Sequence, residues 1–490
     1  MAFESFGQFV QTLEKAGELK RIRQPVATEL EITELADREM KSPRGGKALL
    51  FEQPTVNGQI SPFPLAINTL GSRHRMALSL GVESVEQAAA ELASLLQAKP
   101  PASFSEALKL LGTALDLRHA KPKQVRRGAC QEIIHQPLPP AAANGTPTLL
   151  SLPILKCWPL DAGRFITLPC VVTKDPDTGA RNVGMYRMQV FDNQTTGMHW
   201  QLHKVAARHG RRYYESGQRM PVSVFLGGDP VFTFCATAPL PDGLDEFLLA
   251  GYLRKKAVEL VPCVSNELEV PADADFVIEG YVDPTEPPRT EGPFGDHTGY
   301  YSLADLYPAF HVTAITHRRE AIYPATIVGI PPMEDFYIGT ASVQLLLPVL
   351  KMNFPELIDL ALPAEGVFHN MVFASIKKTY PMQAYKIMYG LWGMGQMMFT
   401  KYIIIVDEDV NVHNTSEVLF RLCATTDPQR DAIFTRGPAD VLDHATTELA
   451  VGSKLGLDAT RKLPGEGFKR EWPPLIKMDP EIKRKMDGLK

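Results

Sequence analysis

The chain has 490 residues, 44% apolar, 22% charged and 8% aromatic, a globular composition that excludes a disordered, collagen-like or coiled-coil protein. At roughly 100–200 residues per domain it holds several domains. Lys+Arg 51 against Asp+Glu 56 give a net charge of −5, which offers no positive field to a polyanion and argues against nucleic acid as a partner.

Residues 1–120 read as an N-terminal α/β domain. Phe6, Phe9, Val10 and Leu13 recur at helical spacing before Gly17, a helix face with its stop. Ile32, Leu35 and Ala36 mark a second helix, and Ser84 with Gln87 three residues on predicts a capped third helix ended by Pro100 and Pro101. The apolar runs 48–51 and 64–67 are strand candidates. Arg118, Lys121, Lys123, Arg126 and Arg127 form a basic stretch best read as a solvated linker face, and the Pro-rich 137–147 reads as a loop.

Residues 121–305 change texture to short β-type runs at 171–173, 183–190, 198–202, 222–226, 231–235, 258–261 and 277–281. Turn chemistry separates them, the spacing of a small barrel or sandwich, with one helix over 244–255. From 306 to 465 a strand pair (310–316, 322–328) leads into alternating signals: helices near 341–352, 381–396 and 415–425, strands at 367–376 and 402–406. That alternation implies a C-terminal α/β domain with a partly parallel sheet. Residues 466–490 form a tail with a short helical pattern suited to packing on another subunit. The fold class is therefore α+β and multidomain.

Cys130, Cys157, Cys170, Cys235, Cys263 and Cys423 are irregularly spaced with no C-x-x-C, so reduced, mostly buried thiols are expected. The N-terminal residues carry no signal-peptide pattern and no run of 18 apolar residues occurs, which predicts a cytoplasmic protein without an integral membrane segment.

The densest cluster of reactive side chains is the run 291–301, Glu-Gly-Pro-Phe-Gly-Asp-His-Thr-Gly-Tyr-Tyr. Glycine and proline forbid a regular helix here and allow Glu291 and Asp296 to converge on one pocket. Paired carboxyls can divide into one charged and one protonated group; a turn-capping Asp296 and a solvated Glu291 are the structural alternative. Arg187, in an otherwise apolar segment, must reach solvent or pair with an anion such as a substrate carboxylate or a buried glutamate. Asn182 and Arg187 point to opposite faces of a regular strand unless a bulge intervenes at Gly184. Glu246 sits in the first turn of the 244–255 helix, where an acid complements the dipole; as a ligand it would join Asn182 and His203 in an oxygen and nitrogen set suited to Mn2+ or Mg2+. His199 and His203 lack the glutamate of a zincin. Residues 407–411 resemble an EF-hand start, but Val412 and Val418 replace its glycine and glutamate. Gly227 and Gly228 before Asp229 and Pro230 are weaker than a dinucleotide fingerprint; Asp229 capping a turn is the simpler reading.

Residues 17–21 (Gly-Glu-Leu-Lys-Arg), 30–34, 182–187, 221–224, 265–271 (Ser-Asn-Glu-Leu-Glu-Val-Pro), 291–301 and 452–460 together resemble the UbiD family of prenylated-flavin-dependent decarboxylases over nearly the whole chain. The resemblance implies a central split β-barrel of the flavin-reductase type between two α/β domains. It implies a catalytic set of Arg187, Glu291 and Asp296, and a metal set of Asn182, His203 and Glu246 holding Mn2+ or Mg2+, with K+ as a further ion. It implies prenylated FMN contacts from Asn182, Met185, Tyr186, Arg187, His199, Trp200, Gln201, Lys204, Val205 and Lys401. The activity implied is non-oxidative, reversible-type removal of CO2 from an aromatic or α,β-unsaturated acid, in ubiquinone or menaquinone biosynthesis; the stretch 452–467 is closer to the menaquinone type. Partners implied are the small-molecule acid, a flavin prenyltransferase as cofactor supplier, and further copies of the chain in a homodimer or homohexamer, with peripheral membrane association if the substrate is polyprenylated. Two other readings of the same residues are a metal-dependent hydrolase built on Glu246 and His203, and a non-catalytic flavin-binding assembly protein.

Overall fold

The computed structural model describes residues 2–96, 118–136, 148–201, 204–240, 243–367 and 369–489. In the N-terminal part, Phe6–Lys15 forms because Phe6, Phe9, Val10 and Leu13 share one buried face and the Ser5 hydroxyl accepts from the Gln8 N–H. It stops at Gly17, whose φ of 71° suits a residue without Cβ. A four-stranded sheet follows, ordered Leu19–Ile22, Ala48–Phe51, Leu65–Ile67 and Tyr323–Ala325. The helices Glu31–Met40, Arg73–Leu80 and Val85–Leu96 accompany it. Ser84 accepts from the Gln87 N–H at 3.2 Å, as the capping pattern predicts.

Glu18 of the 17–21 motif has a structural task. Arg75 is fully buried, and its Nη1 donates to Glu18 at 3.0 Å and to the Gly46 carbonyl at 2.7 Å, while Nη2 donates to the Gly45 carbonyl at 2.9 Å. Such a guanidinium is tolerated only with counter-charge and acceptors in place.

The central sheet has seven strands, six of them on one hydrogen-bonded path, Arg181–Met185, Cys170–Lys174, Met220–Leu226, Phe276–Val282, Ala309–His317 and Thr195–Gly197, and the seventh, Ile133–His135, off that path against Ala309–His317. All these pairs are antiparallel, and among the described residues the path does not close into a ring. Four expectations differ here. The run 198–202 forms no strand over its described residues 198–201; the strand is Thr195–Gly197, just before it. The apolar run 231–235 is the helix Val231–Thr237, not a strand. It is buried on every side, so periodicity could not separate the two. The pair at 310–316 and 322–328 does not open the C-terminal domain; its first member is a strand of the central sheet and its second pairs Leu65–Ile67 in the N-terminal sheet. The helix Val205–Ser216, absent from the sequence reading, packs against Arg181–Met185 and Cys170–Lys174.

The helix Glu334–Asn353 runs along Val85–Leu96 and leads into the C-terminal sheet. That sheet has five strands, Leu357–Ala361, Met371–Ile376, Tyr402–Asp407, Val451–Asp458 and Ala432–Pro438, with the middle three parallel and both edges antiparallel. Apolar clusters cover both its faces, as a parallel sheet requires. No helix among the described residues is long and apolar enough to cross a membrane. All six cysteines are free thiols, and Cys130, Cys157, Cys170 and Cys235 are buried.

Candidate active site

The 291–301 run folds as a small hairpin. Phe294–Gly295 pairs with Tyr301–Ser302, and the turn closes through the Asp296 N–H to the Tyr300 carbonyl at 3.1 Å, with Gly299 at φ 79°. Glu291 ends the preceding strand, Arg289–Glu291. The hairpin is held from behind by Asp161: Oδ1 accepts from the Gly295 N–H at 2.7 Å, and Oδ2 from the Cys157 and Trp158 N–H groups at 3.1 and 2.9 Å. Trp158 lies so close that a Cβ at Gly295 would overlap its ring.

Arg187 meets this hairpin from the other side. The strand Arg181–Met185 pairs in continuous register with Cys170–Lys174, so there is no bulge at Gly184. Instead the strand ends at Met185, and Tyr186 and Arg187 lie in a break before Met188–Gln189. That break frees Arg187 from strand alternation. Its Nε and Nη2 donate to Glu291 Oε1 and Oε2 at 2.9 and 3.1 Å, a two-point clamp. Nη1 donates to Asp296 Oδ2, Nη2 also to Ser302 Oγ at 3.0 Å, and the guanidinium lies 4.8 Å from the Phe294 ring centroid. His199 Nδ1 lies 3.1 Å from Glu291 Oε2, and its ring stacks on Tyr307 at 4.3 Å.

These contacts fix the charges. Burial acts to raise the Glu291 carboxyl, but hydrogen bonds from His199 and Arg187 outweigh it and hold the group at about 2. Burial likewise opposes ionisation of Asp296, and Arg187 with His297 overcomes it, leaving the carboxyl well below its usual range. Burial and the Arg187 charge together depress His199. The core of the site is thus one guanidinium between two carboxylates, all nearly sealed from solvent.

Asn182 and Glu246 meet at the other end of the same strand. Glu246 begins the helix Glu246–Arg254, capped by Asp245, and its Oε2 accepts from the Val183 N–H at 2.8 Å. Asn182 is buried, and its Nδ2 reaches the Tyr186 hydroxyl at 3.4 Å. Burial pushes Glu246 up to about 7 and Tyr186 to about 12. A divalent cation beside Glu246 would supply the positive charge that burial denies it, so the residues fit a hard-metal site. His203 lies outside the described residues. Met185 is partly buried, and Gln201, Lys204 and Val205 carry the chain into the helix Val205–Ser216. His199 Nε2 and Trp200 Nε1 are buried with no hydrogen-bond partner among the described residues. Two such nitrogens fit a bound group bearing polar ring atoms, as a flavin does. Lys401 belongs to the C-terminal domain, where it pairs with Asp443 at 3.0 Å.

The structure also gathers residues that the sequence reading did not select. Ser302, Phe294, Asp161 and Tyr307 shape the site. His369 and Asp440 of the C-terminal domain approach His297, whose Nε2 lies 2.7 Å from that of His369. His297 was visible beside Asp296; nothing in the sequence joins it to His369, 72 residues away.

The class of enzyme that this chain matches through all three of its parts is the carboxy-lyases. Models of the 3-octaprenyl-4-hydroxybenzoate carboxy-lyase family match in tandem: the N-terminal domain over residues 10–95, the Rift-related domain over 126–331 and the C-terminal domain over 336–459. The chain belongs to this family, the UbiD decarboxylases. It is 47% identical to an uncharacterized protein of Archaeoglobus fulgidus, across 100% of this chain and 98% of that protein, and 46% identical to one of Aquifex aeolicus, across 99% and 98%. Among solved structures it resembles the closed form of Sedimentibacter hydroxybenzoicus vanillic acid decarboxylase, with TM-score 0.83, 25% identity and coverage of 100% and 99%. It also resembles the UbiD-class enzyme HmfF of Pelotomaculum thermopropionicum in complex with FMN, with TM-score 0.78, 27% identity and coverage of 96% and 97%.

Proposed function

We propose that this protein removes CO2 from an aromatic acid with prenylated FMN as cofactor, and that Arg187, Glu291 and Asp296 are its catalytic residues. The observation that carries the reading is the closed set of hydrogen bonds by which Arg187 joins Glu291 and Asp296 in a nearly water-free pocket. Losing CO2 from an sp2 carbon leaves an electron pair with no low-energy home, and the flavin supplies the sink when bound. Asn182, Met185, Tyr186, His199, Trp200, Gln201, Lys204, Val205 and Lys401 would hold it, and Asn182, Glu246 and His203 would hold a Mn2+ or Mg2+ ion that balances its negative charge. A central split barrel between two α/β domains is the architecture that carries this arrangement.

Arg187 orients the substrate carboxylate while Glu291, anchored by His199, fixes the guanidinium plane. An arriving carboxylate competes with Asp296 for Nη1. Once that arm is released, burial dominates the Asp296 carboxyl and favours its protonated form, the form needed to hand a proton to the carbon that has lost CO2. Removal of CO2 from a hydroxylated ring acid on the way to a quinone is the setting we favour, supported by the likeness of residues 452–467 to the menaquinone-type members. We further propose a homodimer or homohexamer, supported by the solvent-facing Leu475, Ile476, Met478, Ile482 and Met486 of the tail.

The test is to coproduce the protein with a flavin prenyltransferase and record the visible spectrum and the mass of the released ligand. Prenylated FMN with bound divalent metal, and CO2 release from an aromatic acid, are expected. Asp296→Asn is expected to keep the flavin and lose turnover by about 100-fold or more. A colourless protein, or full activity in the Asn variant, would refute the assignment.

A further inference from the structure

Decarboxylation consumes one proton per turnover, because R–COO− and H+ become R–H and CO2. Asp296 is 8% exposed, so on the decarboxylase reading, on which this inference rests, a buried acid must be refilled from solvent in every cycle. Arg187 takes up Oδ2. The other oxygen, Oδ1, faces His297, accepting from its backbone N–H at 2.7 Å and lying 2.9 Å from its Nδ1. Beyond it, His297 Nε2 stands 2.7 Å from His369 Nε2, and that atom is 3.7 Å from Asp440 Oδ2. Side-chain exposure rises from 8% at Asp296 through 14% at His297 to 21% at His369, with Asp440 beside it at 18%.

Two ring nitrogens at 2.7 Å must share a proton, one donating and one accepting, since two lone pairs or two N–H groups would repel at that separation. We propose that His297 and His369 form a proton relay that refills Asp296, and that it is complete only when the C-terminal domain is seated on the hairpin. The pair holds one excess proton. The His297 Nδ1–H bond breaks as the Asp296 Oδ1–H bond forms, and Asp296 passes that proton to the carbon that has lost CO2. His297 is left neutral with its remaining proton on Nε2, against His369. The His297 ring then turns its bare Nδ1 toward His369, the more exposed ring, which solvent has protonated on Nε2; that N–H bond breaks as the His297 Nδ1–H bond forms, and the ring turns back to Asp296. No electron transfer or co-reactant is involved.

The surrounding charges favour this ordering. His297 faces Asp296, Asp335, Asp440 and His369; burial alone would depress it, yet the carboxylates raise it above its ordinary 6.5. His369 faces His297, Asp440, Asp443 and Lys204, and burial with the neighbouring His297 lowers it to about 4. The excess proton therefore resides on the ring that touches Asp296. Because His297 is on the central hairpin and His369 precedes the strand Met371–Ile376, domain separation would cut the line between them.

The test uses the holoenzyme with His369→Gln, which keeps a polar side chain but cannot carry a proton. Wild type and variant are expected to release the first equivalent of CO2 at the same rate, because His297 starts loaded. Steady-state kcat of the variant is expected to fall about tenfold or more, with imidazole restoring turnover in His369→Ala. Unchanged steady-state turnover would overturn the relay, as would loss of the first-turnover burst without imidazole rescue, which marks a structural role. Micromolar binding of Zn2+ by the wild type, abolished in His369→Gln, would reassign the pair to a metal and overturn it too. In cofactor-free protein, 15N spectra of labelled imidazoles are expected to show the two rings titrating together; independent titration would count against the pair. A wild type that turns over no aromatic acid would instead overturn the decarboxylase reading, and the relay with it.

Discussion

Arg187 is the residue on which the site's electrostatics turn. With Glu291 at about 2 in the folded protein against an ordinary 4.5, the depressed value means the folded state binds fewer protons than the unfolded one in this window. The stabilisation is fully present above about pH 4.5 and is lost as pH falls toward 2, on the order of 3 kcal/mol from this group. Arg187→Met removes the counter-charge of two buried carboxylates. It is expected to cost about 3–5 kcal/mol at pH 7, read from denaturant midpoints, and to weaken the acid-side decline assigned to Glu291, which His199 also sustains. A variant as stable as the parent at pH 7 would show that the clamp does not hold the carboxylates charged.

At the scale of elements, two contacts decide where the site sits. Gly295 is in the hairpin strand whose back touches Trp158, and the Trp158 Nε1 donates to the Val328 carbonyl at 2.9 Å. Gly295→Ala must displace the ring or the hairpin, so a loss of about 1–3 kcal/mol and a drop in turnover with flavin still bound are expected from melting and activity measurements. In the N-terminal sheet, Glu18→Ala would strand the Arg75 guanidinium, at a cost of about 3–5 kcal/mol by urea unfolding. A neutral result would mean that the Gly45 and Gly46 carbonyls and the Glu334 charge hold the guanidinium without Glu18.

At the scale of the whole molecule, the site belongs to more than one sheet. Asp296 and His297 come from the central hairpin, while His369, Asp440 and Lys401 flank strands of the five-stranded sheet; the Tyr300 and His444 rings meet at a tilt across the same junction, 4.2 Å apart. The C-terminal part thus packs against the hairpin that carries Asp296. The tail from Phe468 onward places Ile476 at 98% exposure and Leu489 at 75%, more apolar surface than a free terminus needs. On the proposed homo-oligomer, ending the chain at Gly467 is expected to lower the mass seen by light scattering from a multiple of 54.2 kDa to a smaller multiple; an unchanged mass would refute the tail as its contact.

The sequence by itself determined the local features. Phe6, Phe9, Val10 and Leu13 define their helix by spacing alone, Ser84 its cap, and the 291–301 run both its bend and its reactive side chains, because such signals depend on near neighbours in the chain. It also carried the family likeness, in motifs such as 17–21 and 291–301. The tertiary structure decided what depends on distant partners. The run 231–235 is a helix because it is buried all round, which removes the periodicity that would distinguish it. Arg187 faces both carboxylates because its strand ends at Met185, a break set by packing rather than by a Gly184 bulge. Glu18 is the counter-charge of Arg75 from 57 residues away, and His297 meets His369 only where two domains touch. Residue spacing encodes contacts within a turn or a strand; contacts between sheets arise from the packing of whole surfaces, which no short stretch of sequence records.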